Sequence, residues 1–273
     1  MDKLTKEWIE EIRTKKKKIC AMIPARYNSS RLNGKPLLKI DGITIIARTY
    51  LQTKKSKYID KVYVVTDDVR IKNEIIEVSG DKDSVIMVTD ECENGTERIC
   101  KALEKEHIDD NYKLIVNVQG DEPFIDPEMI DYMIEKYIQD GYTNLDVVCA
   151  TLHDVIKNKE YLNKTSFGKM VIDTHNHVIY CSRTLIPSNK KSQIVDDYQY
   201  LTHIGIFIFQ RWFLQKYMKH PNTPLQLMED IEWLKIIEMG YKIKSFLVTT
   251  ECEIGVNTIE DYEYLKNKYE KHN

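Results

Sequence analysis

Apolar positions in the first half of the chain come in short uninterrupted runs separated by amphipathic stretches. Ile19-Cys-Ala-Met-Ile23 is apolar at every position and ends at Pro24, the pattern of a strand buried on both faces. Residues 43–54 place Ile45, Ile46, Tyr50 and Leu51 at helical spacing. The same alternation continues with a strand at Val62–Val65, a helix over 68–78, a strand at Ser84–Val88, a helix over 96–106 and a strand at Leu114–Val118. Four strands alternating with three helices predict a mostly parallel α/β sheet with helices on both faces. The second half is less regular. It reads as strands at Val147–Thr151, Met170–Ile172, Val178–Tyr180, Ile204–Phe209 and Tyr241–Val248, with helices over 211–219, 226–239 and 261–269. No internal repeat, low-complexity tract or flexible linker interrupts the chain. The expectation is therefore one domain from residue 18 onward with a β-rich inserted portion, preceded by an extension over residues 1–17. Residues 2–14 of that extension are expected to make a short helix with Trp8, Ile9 and Ile12 on one side, and Lys15–Lys18 read as a solvated basic run.

Composition adds mostly exclusions. A chain of 273 residues with 42% hydrophobic and 30% charged residues has the make-up of an ordinary globular protein. Its formal net charge of −3 argues against a nucleic-acid partner. The six cysteines form no CxxC pair and have no histidine at metal-ligand spacing, so they read as reduced thiols in a cytoplasmic protein. No apolar run reaches membrane-span length, and the charged N-terminus lacks a signal core.

In parallel sheets ligands bind beyond the carboxyl ends of the strands. The segments in question are Pro24–Lys35, Thr66–Asp68, Thr89–Arg98 and Gln119–Pro123, which are also the richest in polar chemistry. The first holds Arg26, Arg31 and Lys35, with Ser29, Ser30 and the backbone near Gly34 as further donors, a set suited to a polyphosphate. It is not a Walker loop, because GxxxxGK[ST] is absent, and no GxGxxG or nucleophile elbow occurs elsewhere. The Gln119-Gly-Asp-Glu122 turn follows an apolar strand and offers Asp121 to a hard cation, with Gly120 permitting close backbone approach. In Asn94-Gly-Thr-Glu-Arg98, Thr96 caps the next helix or faces a nucleotide. Taken singly, each segment also fits a plain alternative: a solvated basic loop, a Gly-Asp turn, a capped helix. His203, in an apolar strand, fits a core histidine.

Together and in this order, the motifs resemble those of CMP-Kdo synthetases (3-deoxy-manno-octulosonate cytidylyltransferases). The matching stretches are IPARYNSSRLNGKPL at 23–37, VTDD at 65–68, NGTERI at 94–99, VNVQGDEP at 116–123, YCSRTLIP at 180–187, HIGIF at 203–207 and GVNTIEDYEYL at 255–265. The resemblance implies a Rossmann-like mononucleotide-binding fold of the nucleotide-diphospho-sugar transferase type. The nucleotide part would cover about 18–145, and a sugar-binding and dimerisation part about 146–257. It implies transfer of CMP from CTP to a 3-deoxy-2-ulosonic acid, with magnesium as cofactor and a homodimer as the assembly. Arg26, Arg31, Lys35 and Asp121 carry the catalysis in that reading. Pro24, Ala25, Arg26, Ser30, Lys35, Thr96, Arg98 and Gln119 fall at the nucleotide. Gln119, Ser182, Arg183, His203 and Glu232 fall at the sugar, and Asp121 with Asn257 at the metal.

Four positions depart from the family pattern. Asn257 stands for an aspartate, Phe207 for a tyrosine, Gln226 for a glutamate, and Thr202 for a common arginine. They leave three readings open: a cytidylyltransferase with an acceptor other than Kdo, a Kdo enzyme with a tolerant second metal position, and a catalytically weak nucleotide-binding homologue. CTP against UTP is likewise not decided by sequence.

Overall fold

The computed structural model describes residues 7, 10–11, 18–28, 32–105, 108–140, 145–248, 253 and 255–270. Ser30 and Arg31, and most of the predicted helix over 2–14, lie outside the described residues. Glu7, Glu10 and Glu11 of that helix are helical.

Strand β1 (Lys18–Ala25) is flanked by two parallel neighbours, β4 (Lys61–Thr66) on one side and β6 (Tyr112–Val118) on the other. Ile19 to Ile23 are fully buried because the sheet is covered on both faces. Ala21 and Ile23 pack with Val64, Ile71 and Ile130 on one face, while Cys20 and Met22 pack with Val65, Ile99 and Ile115 on the other. That two-sided burial is why the run carries no polar alternation. β2 (Lys39–Ile40) and β3 (Ile43–Thr44) form a small separate hairpin.

From β1 the chain winds outward through α1 (Ile45–Thr53), β4, α2 (Val69–Ser79) and β5 (Val85–Met87). It then returns through α3 (Gly95–Lys105) to β6, on the opposite side of β1. The loops leaving β1 and β6 thus part in opposite directions and open a crevice between them. Helix α4 (Pro127–Asp140), which the sequence reading did not name, covers the sheet with Met129, Ile130, Met133, Ile134 and Tyr137.

The sheet then continues without a break into the second half. Among the described residues its main path runs β11-β7-β10-β6-β1-β4-β5. β10 (Leu201–Gln210) pairs antiparallel with both β6 and β7 (Val147–Val155), and β11 (Lys242–Leu247) pairs parallel with β7. β8 (Lys169–Ile172) and β9 (Val178–Ser182) form an antiparallel hairpin attached to β10 at Leu201. The single helix expected over 226–239 is two: α6 (Pro224–Glu229) and α7 (Leu234–Glu238). Asp230 separates them, with φ at +52°. Before them lies α5 (Arg211–Lys219), and α8 (Ile259–Glu270) closes the described chain.

Candidate active site

A cavity of about 640 Å3 opens over the ends of β1 and β6, at the switch point of the winding. Its floor on one side is Pro24, Ala25, Arg26 and Lys35 from the loop after β1. On the other it is Gln119, Gly120, Asp121 and Glu122 from the turn after β6. The two are pressed together: a Cβ on Gly120 would lie 2.9 Å from the Pro24 carbonyl oxygen. The Lys35 ammonium donates to Asp121 Oδ2 at 2.6 Å and to the Val256 carbonyl at 2.9 Å. The segments after β1, after β6 and before α8 therefore meet at one point. Arg26 is solvent-exposed at the same cavity.

Glu122, which the sequence reading left without a role, sits at the seam of the two halves. Its Oε1 would lie 2.3 Å from a Cβ on Gly205 and 2.9 Å from one on Gly255. Burial, and next the neighbouring Asp121, push its carboxyl up to about 8. Gly205 falls where β10 gains extra residues relative to β7, between His203 and Phe207. Such a bulge bends a strand and re-aims its side chains. The residue type alone signalled this contact, since a glycine in an apolar strand marks a close approach.

The far end of the cavity comes from the second half, through Arg183, His203 and Glu232, while Asn257 lines it next to the Val256 carbonyl that Lys35 reaches. The His203 ring packs edge-on to Trp233 at 5.2 Å between centroids. Burial, and secondarily Arg183, push the imidazole down to about 4, so it is neutral at physiological pH. Its Nδ1 has no hydrogen-bond partner among the described residues. Glu232 Oε2 accepts from the Thr96 amide at 3.0 Å, at the start of α3. Burial pushes its carboxyl up against the pull of the Thr96 and Gly95 amides.

Several sequence-predicted residues stand behind the cavity instead of on it. Thr96 is buried and off the cavity wall. Ser182 is buried too, donating to Glu229 Oε1 at 2.8 Å. Arg98 reaches the cavity edge, but its guanidinium donates to the Val88 carbonyl and to Asp67 Oδ2, each at 2.9 Å. The expected Thr66–Asp68 segment accordingly braces Arg98, while Asp68 caps α2.

The four departures can be located as well. Phe207 is buried against His203 and Trp233 and does not itself reach the cavity. Gln226 lines the cavity while closing a capping box with Thr223. Thr202 Oγ1 donates to the Gly168 carbonyl at 2.8 Å. Asn257 faces the cavity, with its amide fixed by Asp261 at 3.0 Å.

A family model for cytidylyltransferases matches residues 20–243. A 3-deoxy-manno-octulosonate cytidylyltransferase of Fusobacterium nucleatum is 41% identical over 94% of this chain and 98% of that protein. The chain belongs to the 3-deoxy-manno-octulosonate cytidylyltransferase family. Another member, an 8-amino-3,8-dideoxy-manno-octulosonate cytidylyltransferase of Shewanella pealeana, is 37% identical over 83% of this chain and 88% of its own. A solved structure of a CMP:2-keto-3-deoxy-manno-octonic acid synthetase complexed with CTP superposes with a TM-score of 0.80. Its identity is 30%, covering 94% of this chain and all of that one. As a cytidylyltransferase-family chain, this one carries its cavity at the switch point where a nucleotide is held in sheets of this class.

Proposed function

We propose that this protein transfers CMP from CTP to the anomeric hydroxyl of Kdo, or of a closely related 3-deoxy-2-ulosonic acid, releasing pyrophosphate. The observation that carries the reading is the convergence of Arg26, Lys35 and Asp121 on one cavity, with the Lys35 ammonium 2.6 Å from Asp121.

The chemistry follows from that arrangement. Arg26 and Lys35 bind the phosphate oxygens and hold the α-phosphorus open to in-line attack; Arg31 joins them in the family pattern. The anomeric oxygen forms a bond to the α-phosphorus as the bond to pyrophosphate breaks, and its proton leaves to solvent. Fixed cations offset the charge that grows on the transferred and departing oxygens. His203, neutral and with an unpartnered nitrogen, offers the acceptor a hydrogen bond. Gln119 stands between the two ends.

The donor set suits magnesium arriving on the triphosphate. Among the described residues no cluster of three or more His, Cys, Asp or Glu side chains exists to hold a metal by itself. Asp121 and Asn257 line one cavity, and magnesium commonly takes one or two protein oxygens with phosphate and water supplying the rest. Bound there, it would neutralise phosphate charge and lower the pKa of the attacking hydroxyl.

The same reading carries a cytoplasmic homodimer. No helix of the described residues is long and apolar enough to cross a membrane. Ile179, Leu227 and Met228 in the second half are exposed apolar side chains of the kind a partner copy covers. Sedimentation at micromolar concentration checks the assembly.

Pyrophosphate release decides the activity. With CTP and magnesium, Kdo and its 8-amino-3,8-dideoxy analogue are the acceptors to compare. Turnover of either supports the reading. Silence with both, while CTP still binds, sinks it in favour of a nucleotide-binding homologue. UTP in place of CTP tests the base.

A further inference from the structure

Lys169 opens β8 with a relative exposure of 0%. Its ammonium donates to three main-chain carbonyls: Lys164 and Phe167 at 2.8 Å each, and Arg183 at 2.5 Å. Three protons meet three acceptors, so the group is saturated without a carboxylate at its tip. Burying an ammonium is costly unless it is bonded in this way. A surface lysine would serve a plain turn equally well, so its burial points to a task that only an internal cation performs.

Two of the three carbonyls belong to residues of the cavity wall, Phe167 and Arg183, and the third to Lys164 just behind them. Residues 164–168 form the loop leading into β8, with the Lys164 and Phe167 carbonyls drawn inward around the ammonium. Arg183 follows β9. The Arg183 amide donates to Glu229 Oε2 at 2.9 Å, and the same carboxylate accepts from Ser182 and Tyr180. A buried cation therefore grips the Arg183 carbonyl while an anion grips its amide. The Arg183 guanidinium then reaches the Glu229 carbonyl at 3.0 Å and the Asp230 carbonyl at 2.7 Å, tying β9 to α6. Thr202 adds a second tie to the loop through the Gly168 carbonyl. Phe167, Gly168 and Arg183 all line the cavity, and a Cβ on Gly168 would lie 3.0 Å from the His203 ring.

We propose that Lys169 is a positioning residue for the acceptor: its buried ammonium holds the 164–168 loop and the Arg183 peptide as a preformed wall against which the sugar acid and His203 are set. The identity of this wall as the acceptor end rests on the function proposed above. Lys169 touches no substrate in this account. It acts through main chain that would otherwise have to be ordered each time an acceptor binds, a cost that appears as weaker acceptor binding.

The test varies both substrates for the wild type, Lys169→Met and Thr202→Val, and follows amide hydrogen exchange in each protein. Lys169→Met is expected to raise the KM for Kdo about tenfold or more while the KM for CTP stays within about twofold. Amides over 164–168 and 183–184 should exchange faster, with those of α3 unchanged. Thr202→Val keeps Lys169 and removes one tie, so a rise of about threefold in the Kdo KM is expected. Equal rises in both KM values, or no change in either, overturn the proposal. If Lys169→Met does not fold, an unchanged Kdo KM in Thr202→Val overturns it. A wild type inactive with every ulosonic acid sinks the functional reading instead. The wall is then judged by exchange, and unaltered exchange in the variants overturns it separately.

Discussion

The two ends of the cavity handle charge in opposite ways. At the tips of β1 and β6 the charged side chains face the cavity themselves, with Arg26 exposed and Lys35 and Asp121 only partly covered. At the β8–β9 end charge is withdrawn: Lys169 is fully buried and Glu229 is engaged by three donors. What reaches the cavity there is Phe167, Gly168 and a neutral imidazole, together with Arg183, Asp230 and Glu232, whose charged ends are bonded to protein groups. The first arrangement suits a polyphosphate, whose diffuse charge needs strong fields more than exact shape. The second suits a polyhydroxy acid, whose stereochemistry must be read by a fixed outline. Direct charge at one end and indirect charge at the other is the division to be tested.

The largest effect should come from Asp121→Asn. Loss of the carboxylate that pairs with Lys35 and lines the cavity should lower kcat by about a thousandfold, measured as pyrophosphate release. A loss confined to the Kdo KM would break the division. Gly205→Ala probes the seam. The added methyl would collide with the Glu122 carboxylate, and denaturant unfolding should report a loss of about 1–3 kcal/mol. Pairing it with Glu122→Ala should recover part of that loss.

Glu122 also predicts a pH dependence. Its folded pKa is raised from 4.5 to about 8, so the native state holds its proton where the unfolded chain has released it. The associated stability is present below about pH 4.5 and disappears as pH rises through about 8. Relative to Glu122→Gln, the wild type should therefore weaken by an order of 1 kcal/mol or more between pH 5 and pH 8.5 in urea titrations. A wild type that holds or gains stability relative to Glu122→Gln over that range would contradict the Asp121-facing placement. The smallest effect is assigned to Asn257→Asp. A second carboxylate in the cavity should lower the magnesium needed for half-maximal rate by about threefold, and an unchanged requirement would remove Asn257 from the metal.

Much of this was readable from the chain alone, for identifiable reasons. Two-sided burial makes β1, β4 and β6 continuous apolar runs, and the switch point then follows from their order. Arg26, Lys35, Gln119 and Asp121 cluster because strand-end loops must converge there. What escaped the pattern depends on contacts distant in sequence. The apolar spacing over 226–239 continues through Ile231, Trp233 and Leu234, so nothing local announces the break at Asp230 that turns Glu232 toward the start of α3. Ser182 and Thr96 belong to the right motifs, yet their hydroxyls are buried behind the surface those motifs form. Thr202 looked like the loss of a cation, whereas its hydroxyl secures Gly168. Glu122 shows its role only once Gly205 and Gly255, far along the chain, are in place, and Lys169 only once the β8–β9 hairpin brings the Arg183 carbonyl to it.

Strand β10 has a mechanical consequence. It carries His203 on a ribbon hydrogen-bonded to β6 on one side and β7 on the other, so the two halves of the protein share a single unbroken sheet. A hinge between them would have to rupture that ladder. Admission of substrates and escape of pyrophosphate must then be managed by loops at the rim, with the sheet as the stationary frame. Turnover should accordingly respond to rim-loop substitutions while the distance between the frame's two edges stays constant throughout the cycle.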